Sequence, residues 1–129
     1  MKKVLFICVQ NAGRSQMAEA LFNALAVGRA VGMSAGTRPA ERVHPEVVEA
    51  MKEVGIDMSA NKPKMLTPEM VSEADKVITM GCGADEACPV TYTPAEDWGI
   101  DDPAGQPLET VRAIRDEIRA RLQNLLRTL

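Results

Sequence analysis

The chain reads as α/β, a three-layer α/β/α sandwich with a four-stranded parallel sheet. Three features predict this: a continuous apolar run at Val4–Val9, apolar patterns that switch repeatedly between strand and helix periods, and an amphipathic helix from Pro107 to the C-terminus. An order of β-α-β-α-β-β-α places helices on both faces of a parallel sheet. At 129 residues the chain has the size of one domain, since domains commonly run to about 100–150 residues. Residues 1–129 are therefore expected to form a single unit.

Val4–Val9 is rich in branched residues without polar alternation, as in a strand buried on both faces. Ala18, Leu21, Phe22 and Leu25 then fall at i, i+3, i+4 and i+7, one face of a helix over about Arg14–Val27. Ala30–Ser34 predicts a second short strand, ended by Ala35-Gly36. Pro45 suits the first turn of a helix with Val47, Val48, Met51 and Val54 on its core face and Gly55 as its stop. Thr67-Pro68-Glu69 opens a short, capped helix. Lys76–Met80 predicts a third strand, followed by a loop from Gly81 to about Pro89 and a fourth strand near Val90–Thr93. In the last helix Val111, Ile114, Ile118, Leu122 and Leu125 repeat at spacings of three and four.

Composition narrows the function classes. Lys plus Arg is 15 and Asp plus Glu is 18, a net charge of −3. Such mild acidity argues against nucleic acid or an anionic membrane as the main partner, while leaving room for one positive pocket. Three cysteines do not make a disulfide scaffold. The Val4–Val9 run is too short for the core of a signal peptide, and nothing approaches the 18 or more apolar residues of a membrane span. The expected location is cytoplasmic, where a disulfide is usually catalytic.

Ligands of open α/β folds bind at the carboxyl ends of strands. There the sequence places Cys8-Val9-Gln10-Asn11-Ala12-Gly13-Arg14-Ser15, leading directly into a helix. A loop wrapped around a helix N-terminus aims backbone N–H groups and the positive end of the dipole at one cavity. Gly13 permits close approach or an unusual φ. Arg14 offers a planar fork for two oxygens of a tetrahedral anion. Ser15 can donate its hydroxyl to the sulfur or to the loop. In that cradle the thiol of Cys8 is expected to ionise more readily than usual and act as a nucleophile. Cys8 taken alone reads more readily as a small buried hydrophobe; Gly13, Arg14 and the helix start favour chemistry.

Cys-x5-Arg-Ser at a strand–helix junction resembles the low-molecular-weight protein tyrosine phosphatase superfamily. The resemblance implies that the loop binds phosphate, Cys8 attacks it, Arg14 stabilises the transition state and Asn11 organises the loop. It also implies a proton donor on an aspartate preceding a proline late in the chain, matched by Asp102 before Pro103. On its own residues the Asp101-Asp102-Pro103 run reads as a solvated turn, and Asp101 is taken as a structural neighbour.

Phosphatases of that superfamily carry tyrosines right after the Asp-Pro, whereas here Ala104-Gly105 follows and the sole tyrosine is Tyr92. Instead the sequence has Met80-Gly81-Cys82-Gly83-Ala84-Asp85-Glu86-Ala87-Cys88-Pro89. A rigid helix would hold residues six apart at about 9 Å, so the segment must fold back or unwind to join the two thiols. A mobile thiol pair, two inert buried cysteines and a metal site are the open readings; the Cys-x5-Cys spacing and the single histidine, His44, do not favour metal. His44, just before Pro45, is read as a helix-start or surface residue without a role.

Taken together, the loop, the cysteine pair, Trp98–Gly105 and the C-terminal helix resemble the thioredoxin-coupled arsenate reductases, which share the phosphatase fold. That resemblance implies arsenate as substrate, phosphate and sulfate as competing anions, no bound cofactor, and thioredoxin as electron donor. It implies a relay in which Cys82 resolves the Cys8 adduct and Cys88 moves the disulfide to Cys82–Cys88. Members of the family also bind potassium beside the loop through positions matching Asn11, Glu19 and Ser34. Lys64 stands where a further acidic ligand is expected, so its ammonium can take the cation's place; Lys62 and Lys64 as solvated loop lysines is the other reading. A phosphatase, and a redox or oxyanion sensor, remain the alternative functions.

Overall fold

A computed structural model describes residues 1–80 and 95–129. Its elements are β1 (Lys2–Cys8), α1 (Arg14–Leu25), β2 (Ala30–Gly36), α2 (Pro45–Lys52), α3 (Pro68–Glu73), β3 (Lys76–Thr79), β4 (Ala95–Asp97) and α4 (Leu108–Thr128). The strands form one sheet in the order β2-β1-β3-β4, with every pairing parallel. The expected fold class is the one found.

β1 is the middle of the fold, and its unbroken apolar run follows from burial on both faces. Val4, Phe6 and Cys8 face a core shared with α1, α2 and α4. Leu5 and Ile7 face the opposite side, where Val77, Met70 and Val71 pack. Val111, Ile114, Ile118, Leu122 and Leu125 of α4 are all buried, as their spacing predicts. Phe6 meets Phe22 edge-on at 5.6 Å and Trp98 at 6.2 Å. Fully burying one such large apolar side chain contributes about 1.5–3 kcal/mol, and this cluster ties α1 to the centre of the sheet.

Local signals placed the helix ends. Thr67 Oγ1 accepts from the Met70 N–H at 3.2 Å, the expected cap. Gly55 follows α2 with φ +83°, a conformation few other residues adopt. Val47 and Met51 of α2 are fully buried, while Val48 and Val54 pack at the core margin. Residues 90–93 lie outside the described residues, and β4 at Ala95–Asp97 is short and polar. It pairs at the sheet edge, where Thr79 Oγ1 donates to Asp97 Oδ1 at 2.9 Å. Edge pairing needs less apolar surface than the Val90–Thr93 run suggests.

The register of β1 and β2 positions the site. It runs from Lys2 opposite Ala30 to Cys8 opposite Gly36, so both strands finish together. A Cβ at Gly36 would lie 2.5 Å from the Val9 carbonyl oxygen and 2.9 Å from the Asn11 nitrogen. Absence of a side chain there lets the turn after β1 lie flat against the end of β2.

Candidate active site

Cys8 ends β1 almost fully buried, with its Sγ 2.8 Å from Ser15 Oγ and accepting from the Asn11 N–H at 3.2 Å. Asn11 Nδ2 donates to the same Ser15 oxygen at 2.7 Å. That leaves the serine hydroxyl hydrogen available to the sulfur. Two donors therefore converge on the thiol.

Asn11 is the hub of the loop. Its φ of +49° makes it the one described non-glycine residue in the left-handed region, a conformation that asparagine tolerates better than most. Its Oδ1 accepts from Gln16 Nε2 at 3.0 Å and from the Lys64 N–H at 2.9 Å. Gln16, also buried, donates in turn to the Lys62 carbonyl at 3.1 Å. Strain at one residue is thus offset by contacts from α1 and from residues 62–64.

The loop's carbonyls are taken up on its outer side. Those of Val9, Gln10 and Ala12 accept from the N–H groups of Arg38 (2.8 Å), Ala40 (3.0 Å) and His44 (2.9 Å). This polarity suits a cradle for an anion, since it keeps acceptors engaged elsewhere and sets the start of α1 at the cavity. Gly13 is explained by close approach: its φ is −142°, and a Cβ would stand 2.8 Å from Pro103 Cγ.

Arg14 Nη1 donates to the Ile100 carbonyl at 3.1 Å, and Nη2 lies 4.0 Å from Asp102 Oδ2. Asp102 is half-exposed and its Oδ1 accepts from the Ala104 N–H at 3.0 Å. Asp101 is exposed and does not line the cavity. The cavity measures about 70 Å³ and is walled by Cys8, Val9, Gln10, Ala12, Gly13 and Arg14 of the loop with His44 and Asp102. It can hold a small tetrahedral anion in line with the sulfur and gripped by a guanidinium. His44 is a lining residue that the sequence analysis left without a role; only its position before Pro45, where the chain is held extended, was legible.

Glu19, Ser34 and Lys64 also come together. Lys64 Nζ reaches both carboxylate oxygens of Glu19, at 3.0 and 3.1 Å, and Ser34 Oγ donates to Oε1 at 2.7 Å. Among the described residues there is no cluster of three or more His, Cys, Asp or Glu side chains fit to hold a metal, and no helix is long and apolar enough to cross a membrane. Cys82 and Cys88 lie outside the described residues.

Comparison with known proteins finds chains of similar sequence and fold. A putative arsenate reductase of Halobacterium salinarum is 42% identical over 125 residues, covering 93% of this chain and 87% of its own. A solved arsenate reductase in the phosphate binding state superposes with a TM-score of 0.88 at 36% identity, covering 99% of this chain and 98% of that one. A thioredoxin-dependent arsenate reductase of Corynebacterium glutamicum gives 0.82 at 38% identity, over 99% of this chain and 61% of that one. The family model described as low molecular weight phosphotyrosine protein phosphatase matches residues 3–129. By that match and these likenesses, the chain belongs to the low molecular weight phosphotyrosine protein phosphatase family.

Proposed function

We propose that this protein reduces arsenate to arsenite through a Cys8–Cys82–Cys88 thiol relay, in the cytoplasm, with thioredoxin as electron donor and residues 1–129 acting as one domain. The observation that carries the reading is the thiol of Cys8 at a 70 Å³ cavity that Arg14 and Asp102 also line. Relatives named for arsenate reduction, one of them thioredoxin-dependent, support it.

The steps balance with the residues present. Cys8 thiolate attacks arsenic, forming an S–As bond, while Asp102 gives a proton to the departing oxygen, which leaves as water. Arg14 grips two of the remaining oxygens as charge builds on them. Cys82 thiolate then attacks Cys8 Sγ; an S–S bond forms, the S–As bond breaks, and its electron pair stays on arsenic. Arsenic(V) has become arsenic(III) and leaves as arsenite. Cys88 thiolate attacks Cys82 and frees Cys8, leaving a Cys82–Cys88 disulfide. The dithiol of thioredoxin reduces that bond and is itself oxidised.

The Glu19 carboxylate does not fit a separate potassium ion, because Lys64 already neutralises it through both oxygens. In this reading Lys64 serves as a tethered cation, and the Lys64 backbone N–H on Asn11 carries its position to the loop.

A phosphatase reading draws on the family match. It needs only Cys8, Arg14 and Asp102, with water in place of Cys82. One assay separates the two: arsenate-dependent NADPH oxidation in the presence of thioredoxin and its reductase, beside hydrolysis of an aryl phosphate. Robust arsenate turnover that Cys8→Ser abolishes is expected. Aryl phosphate hydrolysis without arsenate turnover would move the assignment to the phosphatase, and neither activity would move it to a sensor.

A further inference from the structure

The cavity has two walls that do not come from the loop, His44 and Asp102. The chemistry above employs Asp102 and leaves His44 idle. Yet the backbone of His44 is hydrogen-bonded on both sides. Its N–H donates to the Ala12 carbonyl at 2.9 Å, and its own carbonyl accepts from Val47 at 3.0 Å and Val48 at 3.1 Å. Pro45 behind it favours the extended backbone it adopts, with φ −59° and ψ 132°. Val43 and Val47 on either side are buried. The ring lies over Gly13 beside Pro103: a Cβ on Gly13 would be 3.4 Å from His44 Cδ2 and 2.8 Å from Pro103 Cγ.

The imidazole is half-buried and makes no hydrogen bond to any described residue. A polar ring at a small cavity, with neither nitrogen bonded to a described residue, is placed for a ligand. We infer that His44 is a specificity-determining residue, selecting bare tetrahedral oxyanions over their organic esters. In a bare anion the oxygen facing away from the loop is an acceptor, and imidazole offers at least one N–H donor whatever its protonation state. In an ester that oxygen carries carbon, which cannot accept a hydrogen bond and must pass the ring to leave a cavity of about 70 Å³. His44 therefore favours the first ligand and obstructs the second. The inference rests on the proposed reading only for the identity of the preferred anion.

Calorimetry on the full chain with inorganic phosphate and with benzylphosphonate tests it, since neither ligand is turned over. Losing one hydrogen bond to a charged group should weaken phosphate binding about tenfold in His44→Ala, while benzylphosphonate binds as well as before or better. His44→Gln keeps a donor and should hold phosphate within about threefold of wild type. The hydrogen bonds of His44 to described residues are made by its backbone, so both variants should melt as wild type does. Parallel weakening of both ligands would reveal a merely structural residue and overturn the inference, as would an unchanged ratio. Failure of the wild type to reduce arsenate sinks the reductase reading alone, because the ratio of the two affinities still moves; an unmoved ratio in an enzyme that reduces arsenate sinks the role of His44 alone.

Discussion

Gly13 and Pro103 pack against each other across the candidate site, so closely that a Cβ on Gly13 would come within 2.8 Å of Pro103 Cγ. The contact joins the loop after Cys8 to the turn that carries Asp102, 89 positions away in sequence. The missing side chain at Gly13 thereby lets the Asp102 turn approach the Cys8 loop.

Gly13→Ala should push Pro103, and Asp102 with it, outward by a few tenths of an ångström or more. Displacements near 1 Å cost on the order of 100-fold when they disturb reacting groups. The expected outcome is a fall in kcat of about one to two orders of magnitude, with phosphate inhibition changed much less. Thermal unfolding should show a modest loss. Unchanged kcat would mean that the Asp102 turn is positioned by something other than this contact.

Asp102→Asn should slow the step in which oxygen departs by about 10²–10⁴-fold, the usual scale for losing a general acid. Oxyanion affinity should hold or improve, because a carboxylate 4.0 Å from Arg14 is replaced by a neutral amide. Asp101→Asn, at an exposed residue outside the cavity wall, should matter little. Equal losses at both positions would show that the pair shapes the turn and that neither is a dedicated acid.

Much of this site was legible because it is written in adjacent residues. Cys8, Arg14 and Ser15 fall on one strand–loop–helix junction, and a change from strand to helix period marks that junction without any tertiary information. Gly13 offered two readings, close approach or unusual φ, and only the neighbouring Pro103 decides between them. The left-handed residue is Asn11 instead, stabilised by Gln16 and by the Lys64 N–H 53 positions on. His44 was passed over because Pro45 explains its backbone while nothing local says where its ring points. Arg115 was hidden for the same reason. It lies on an apolar stripe yet is buried, donating to the Ala50 carbonyl at 2.8 Å and to Glu53 at 3.1 Å. Partners more than 60 positions distant leave no mark on a periodic pattern.

Glu53 makes the link between α2 and α4 sensitive to acid. A hydrogen bond from Arg112 holds its carboxyl below the ordinary value of 4.5, and Arg115 adds to the effect. A carboxylate whose folded pKa is depressed contributes stability above its unfolded pKa, and that contribution disappears as pH falls through the folded value. Glu53→Gln should therefore unfold more readily than wild type at pH 7, and the gap should narrow as pH falls below the ordinary value of 4.5. Denaturant melts across pH 3–7 check it. A gap that stays constant over that range would assign the loss to packing and not to charge.

The relay makes the strongest demand, because phosphatase chemistry can do without Cys82 and Cys88 and reductase chemistry cannot. In Cys82→Ser, Cys8 can still attack arsenate, but no thiol resolves the adduct, so arsenite should not be released efficiently. Cys88→Ser should differ: one round proceeds, one arsenite appears per enzyme, and the chain stalls as a Cys8–Cys82 disulfide. Both variants should keep whatever aryl phosphatase activity the wild type has, since the thiol of Cys8 with its Ser15 and Asn11 partners, Arg14 and Asp102 are untouched. Mass mapping after exposure to arsenate without reductant should find Cys82–Cys88 in the wild type and Cys8–Cys82 in Cys88→Ser. Thiol exchange requires an attacking thiolate to reach the sulfur it displaces. A Cys8–Cys82 bond in the stalled variant would therefore place Cys82 within contact of the sulfur of a residue that is 3% exposed. If instead both variants turned arsenate over repeatedly at wild-type rates with thioredoxin, the electrons would have to reach Cys8 directly from the donor, and the three-cysteine relay would be wrong.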